Sequence, residues 1–141
     1  MSGFNEFDRK LKKIVNTNEA PKAVGPYSQA TLFEDLVFLS GQIALNPSTG
    51  NLEGTNIEEQ TKQVMHNISA VLRASGSDLD RVLKCTVYLS DLEEFQSFNK
   101  VYSAFFKDNP PARSTIQAAK LPRNAKVEID VIAAKKNEVV S

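Results

Sequence analysis

The sequence predicts an α+β domain: a mixed β-sheet with two amphipathic helices packed on one of its faces. Three observations lead there. Apolar residues recur at helical spacing in two separate stretches, 57–72 and 95–106. Alternating or short apolar runs mark strands before, between and after those stretches. The chain has 141 residues, 41% hydrophobic and 24% charged, a composition typical of one soluble domain. At this length, folding buries about 70% of the unfolded surface without disulfides or metal.

Residues 1–13, MSGFNEFDRKLKK, read as an N-terminal extension, and 14–141 as a single domain. Arg9, Lys10, Lys12 and Lys13 make the extension basic, whereas Glu6 and Asp8 argue against an organelle-targeting peptide, which is poor in acids. A short strand around Ile14 and Val15 gives way to PKAVGPYSQA, where Pro21, Gly25 and Pro26 break regular structure. SQATLFEDLVFLSGQIAL then reads as two strands meeting at a turn near Glu34 and Asp35, and NPSTGN as a loop.

Ile57, Thr61, Val64, Met65, Ile68, Val71 and Leu72 fall on one face of the first helix. Thr55 and Glu58 have the spacing of a capping box, and Gly76 stands where a left-handed residue would close the helix. RVLKCTVYLSD alternates, with Leu83, Cys85, Val87 and Leu89 as the inward row. The second helix, LEEFQSFNKVYSAFFK, follows Asp91 as its N-cap and stops before Pro110 and Pro111. ARSTIQAA and KVEIDVIAA finish the domain as strands joined through a turn in KLPRN. With both helices on one face, the other sheet face needs a cover, which self-association would supply.

Seventeen basic and seventeen acidic side chains leave no net field to draw nucleic acid or an anionic membrane. No apolar run approaches the roughly 18 residues of a membrane span, and the N-terminus lacks a secretory apolar core. A cytoplasmic protein is expected, with a mitochondrial location left open by the extension. One cysteine, Cys85, and one histidine, His66, do not make a usual zinc site, so no metal is expected.

Three places break the local pattern. Asn99 sits inside the stripe Phe95, Phe98, Tyr102, Phe105 and Phe106, which otherwise reads as core; its amide either fixes a neighbouring loop or serves a ligand. Arg113, Thr115 and Gln117 share one strand face, while Glu128 and Asp130 point away from the row Val127, Ile129, Val131 and Ala133. Antiparallel pairing about a turn near Leu121 and Pro122 would bring Arg113 beside Glu128. Such a pair is either a cross-strand salt bridge on a solvated face or a site, with Arg113 gripping a small carboxylate while Glu128 handles a proton or a water. In Ser40-Gly41-Gln42, the glycine permits a bulge or close approach of a ligand to the main chain.

The segments GPYSQA, LSGQIALNPSTG, PPARSTIQAAKLP and VEIDVIAA, in this order between Ile14 and Ala134, resemble the RidA/YjgF family of reactive intermediate deaminases. The resemblance implies a chorismate-mutase-like homotrimeric barrel, sheets inside and helices outside, with active sites in clefts between subunits. It also implies hydrolysis of small 2-imino acids (2-aminoacrylate with its tautomer 2-iminopropanoate, 2-iminobutanoate) to 2-keto acids and ammonia, without cofactor or metal. Position by position, Arg113 matches the family's carboxylate-binding arginine and Glu128 the acid associated with the attacking water. Tyr27, Ser40 and Asn99 match cleft positions, and Gly41 offers backbone contacts. Thr115 stands where many members carry cysteine. Two alternatives accompany this reading. One is RNA binding or endoribonuclease activity, ascribed to some similar proteins, using Arg123, Lys126, Lys135 and Lys136. The other is a non-catalytic trimer that binds keto acids.

Overall fold

The computed structural model describes residues 11–137; residues 1–10 of the expected extension lie outside them, and Lys13 already belongs to the first strand. β1 (Lys13–Val15) pairs antiparallel with β2 (Ala30–Phe33), which turns into β3 (Leu36–Gln42) through Glu34 at φ 54°.

Helix α1 (Ile57–Ala74) buries Ile57, Thr61, Val64, Met65, Ile68, Val71 and Leu72, the face set by their spacing. Its cap lies one residue later than the Thr55 and Glu58 spacing predicts. Asn56, in extended geometry, accepts from the Glu59 N–H through Oδ1 at 2.8 Å, and Glu59 Oε1 accepts from the Thr55 N–H at 2.9 Å. The short asparagine amide reaches the free N–H groups of the first turn, so Thr55 is left just outside the helix. At the other end Ser75 is the C-cap and Gly76 follows at φ +77°, as expected.

β4 (Val82–Leu89) departs from the expected alternation at its start. The register shifts between Val82 and Lys84, which buries Val82 and leaves Leu83 50% exposed instead of in the inward row. From Cys85 onward the alternation holds. Asp91 caps a short 3₁₀ turn, Leu92–Glu94, accepting from the Glu93 N–H at 2.9 Å; the turn runs into α2 (Phe95–Phe105).

β5 (Ala112–Gln117) and β6 (Val127–Ala134) complete a single sheet of order β1-β2-β3-β6-β4-β5. The last two strands do not form the expected hairpin. α2 returns the chain to the starting end of β4, so β5 adds parallel to β4 at the sheet edge. β6 then enters on the far side of β4, antiparallel to both β3 and β4, in the slot left by the α1 crossover. The connection crosses the end of β4, where the Ala118 N–H donates to the Leu89 carbonyl and the Ser90 N–H to that of Lys126.

Both helices lie on one sheet face, over Val37, Leu39, Cys85, Val87, Leu89, Val127, Ile129 and Val131. The opposite face is uncovered in the chain and carries Ile14, Phe33, Phe38 and Ile116, exposed by 66%, 43%, 41% and 49%. Among the described residues no helix is long and apolar enough to cross a membrane. The cap assignment is testable. Asn56→Ala is expected to cost about 1 kcal/mol of stability, whereas Thr55→Ala, which keeps the backbone N–H held by Glu59, costs less than about half of that. Denaturant unfolding of both variants at one protein concentration checks the difference.

Candidate functional site

Parallel pairing sets the direction of the arginine. Cys85 pairs with Arg113 and Val87 with Thr115, and paired residues share a sheet face. Cys85 and Val87 are fully buried beneath the helices, so Arg113 and Thr115 point to the helix layer at the sheet edge. Arg113 is half-buried there and donates through Nη1 to Asn99 Oδ1 at 2.8 Å. Its Cζ lies 4.8 Å from the ring centre of Tyr102, 5.3 Å from that of Phe95 and 5.9 Å from that of Phe98. The amide inside the aromatic stripe thus has its partner.

No carboxylate among the described residues pairs with Arg113. Asn99 occupies one of the five N–H donors of the guanidinium, leaving others for a ligand. Burial pushes the Cys85 thiol up and, together with the nearby Cys85, pushes the Tyr102 phenol up, so both stay neutral and Arg113 carries the charge of this corner. The hydroxyl oxygens of Tyr102 and Thr115 are buried and make no hydrogen bond.

Glu128 belongs to the other face. It pairs with Tyr88 on β4, and its carboxyl lies across Gly41, where the β3–β6 register shifts between Leu39 and Gln42. A Cβ on Gly41 would overlap Glu128 Oε2 and come within 2.9 Å of its Cδ. Here the glycine makes room for a side chain of its own chain. Beside it, Ser40 donates through Oγ to the Ser28 carbonyl at 2.6 Å and through its N–H to that of Gln29 at 3.0 Å. These bonds tie the bulge to the loop bearing Tyr27, whose ring is half exposed and whose hydroxyl accepts from the Val24 N–H at 3.2 Å. Gln29 anchors that loop: buried, it accepts from the Thr17 N–H and donates to the Thr17 and Pro21 carbonyls. Sequence reasoning missed this role, although a glutamine just before an apolar strand was a visible signal.

Half-burial, and next the like charge of Asp130, raise the pKa of Glu128. Its carboxylate makes no hydrogen bond among the described residues. Asp130 accepts from the Tyr88 hydroxyl at 3.2 Å. Tyr88 escaped sequence reasoning because only the long-range pairing of β4 with β6 places it there.

Arg113 and Glu128 therefore do not share one surface as expected. β4 lies between their strands, and their side chains leave opposite faces of the sheet. The structure brings Arg113, Asn99 and Thr115 together on one side, and Glu128 with Gly41 on the other, with Ser40 and Tyr27 nearby. Surface hollows of 550, 520 and 290 Å³ contain neither charge; the smallest, lined partly by Ile14, Lys22, Tyr27 and Gln29, touches one candidate residue.

Comparison with known proteins supplies the context for these half-sites. The model of the endoribonuclease L-PSP family matches residues 17–135. The chain is 48% identical over 122 residues to the chloroplastic Reactive Intermediate Deaminase A of Arabidopsis thaliana, covering 86% of this chain and 65% of that one. It is 40% identical over 123 residues to the 2-iminobutanoate/2-iminopropanoate deaminase of Homo sapiens, covering 87% and 90%. The crystal structure of E. coli TdcF with bound serine superposes with a TM-score of 0.84 at 37% identity, over 88% of this chain and 99% of that one. On this match in sequence and fold, the chain belongs to the endoribonuclease L-PSP family, the RidA/YjgF family of the reactive intermediate deaminases.

Proposed function

We propose that the protein hydrolyses small 2-imino acids (2-aminoacrylate with its tautomer 2-iminopropanoate, and 2-iminobutanoate) to 2-keto acids and ammonia, in clefts between the copies of a homotrimer. One observation carries this reading. Two half-buried opposite charges, Arg113 and Glu128, find no ionic partner among the described residues and leave opposite faces of one sheet. A salt bridge between them within one chain is ruled out, so a site using both takes Arg113 from one copy and Glu128 from a second. The name of the human relative supports the imine substrate, that of the Arabidopsis relative supports deamination of a reactive intermediate, and the serine held by TdcF supports a small molecule carrying a carboxylate.

In this reading Arg113 grips the substrate carboxylate with the fork edge that Asn99 leaves free. The enamine takes a proton on carbon to become the imine, and protonation of nitrogen makes the imine carbon electrophilic. Water adds to that carbon while the Glu128 carboxylate accepts its proton. The aminol then collapses: Glu128 returns its proton to nitrogen, the C–N bond breaks and ammonia leaves, and the hydroxyl gives its proton back to the carboxylate as the keto group forms. Positioning supplies most of the acceleration, with modest acid-base help, because such imines also hydrolyse unaided. The RNA reading gains no support from the basic side chains invoked for it: Arg123 donates to the Gly50 carbonyl at 3.2 Å and Lys136 pairs with Asp78 at 3.4 Å. His66 is exposed, edge-on to Phe105.

Three expectations follow from the half-sites. In assays with freshly generated 2-aminoacrylate, Glu128→Gln lowers kcat by about 100-fold or more while pyruvate still binds, and Gly41→Ala, which displaces the Glu128 carboxyl, lowers kcat in the same way. Arg113→Ala and Glu128→Gln are each inactive alone, but denatured together and reassembled in equal amounts they recover about a quarter of parental activity, since about one interface in four then holds both residues. Activity that stays at the level of the single variants would place both residues in one copy. The third concerns pH. Because the carboxylate is the working form, activity falls as pH drops through the Glu128 pKa; removing the like charge in Asp130→Asn shifts that acidic limb to lower pH in the kcat profile.

A further inference from the structure

We infer that Phe95 and Tyr102, on the aromatic stripe of α2, are positioning residues for the ligand carboxylate: together with Asn99 they hold the Arg113 guanidinium in one orientation before the ligand arrives. This inference rests on the carboxylate-anchor reading of Arg113 given above.

Phe95, Phe98, Asn99 and Tyr102 follow one another at i, i+3, i+4 and i+7, so a single helix stripe presents three rings and an amide to Arg113. The rings form a continuous wall, with centres 6.5 Å apart from Phe95 to Phe98 and 5.3 Å apart from Phe98 to Tyr102. Core packing accounts for Phe98, which is fully buried. It also accounts for the Tyr102 ring, a member of the same core cluster, but not for the Tyr102 hydroxyl or for the exposed part of Phe95, which packs against that cluster. Phe95 remains half-buried beside the cation, and Tyr102 buries a hydroxyl with no hydrogen-bond partner next to Arg113 and Cys85, where phenylalanine would leave no polar atom stranded.

A free arginine side chain samples many rotamers, and binding a carboxylate ordinarily includes the cost of ordering it. Here the rings attract the guanidinium and exclude water from its neighbourhood, and Asn99 fixes the rotation of its plane. The donor edge left over then faces one direction. Water exclusion also strengthens its pull on a carboxylate. Such a fork favours a planar monocarboxylate that takes two parallel N–H donors, the group shared by 2-imino and 2-keto acids.

Pyruvate serves as the probe, titrated calorimetrically into the assembled full-length protein and its variants. Phe95→Leu is expected to weaken pyruvate binding by about 5- to 30-fold, the size of one cation–π contact, and to raise KM in proportion while kcat holds. Phe95→Tyr restores both values. Guanidinium rotation of Arg113, followed by ¹⁵N exchange at Nε, is slow in the parent and faster in Phe95→Leu. If Phe95→Leu fails to assemble, Phe95→Met makes the same comparison at closer volume. Pyruvate affinity equal to the parent's in the Phe95 variant, with binding lost in Arg113→Ala, would overturn the inference and leave the anchor reading standing. Affinity equal to the parent's in Arg113→Ala as well would overturn both.

Discussion

The pairing of Cys85 with Arg113 decides what kind of site this chain can build. β5 follows β4 by way of a helix, so it lies parallel to β4, and parallel partners project from the same face. Cys85 has no exposure at all beneath the helices, and that face is therefore the one available to Arg113. β6 meets β4 from the other side with Glu128 opposite Tyr88, which assigns Glu128 to the face without helices. One connection rule thus keeps the two charges from neutralising each other. Their separation follows from the topology and leaves each charge free to meet something outside its own chain.

Periodicity reports which face a residue occupies and says little about which strand lies beside it. The inward row of β6, the buried stripes of both helices and the turn at Glu34 were legible for that reason. So was the anomaly of Asn99, because an amide at a core position has to bond to something, and here it bonds to Arg113. The pairing of β5 and β6 was not legible. Two strands joined by a short turn-rich segment look like a hairpin, and only the slot opened by α1 explains why β6 passes β4 to reach β3. The shift at Val82, the cap at Asn56 and the need for glycine at position 41 share a cause: each depends on where a partner group lies, and spacing along the chain does not encode that.

The two halves of the candidate site are prepared to different degrees. Arg113 is oriented by an amide and a wall of rings on one rigid helix, so little ordering remains when a carboxylate arrives. Glu128 is confined sterically by the Gly41 bulge, yet its oxygens have no donor among the described residues, and half-burial, then the like charge of Asp130, raises its pKa. It needs a cation or a water held nearby to offset that shift.

In the proposed trimer the open sheet face is where that need is met. Covering Ile14, Phe33, Phe38 and Ile116 removes apolar surface from water and favours association, but the same burial strips more solvent from Glu128 and raises its proton affinity further. Association driven only by the apolar side chains would therefore shift Glu128 further toward its protonated form. A guanidinium arriving across the same interface reverses this effect, because an opposite charge within several ångströms favours the carboxylate. Arg113 has no acidic partner among the described residues. By this argument one contact between copies would compensate the buried acid and complete the site, and the assembly and the chemistry would depend on the same pair of side chains.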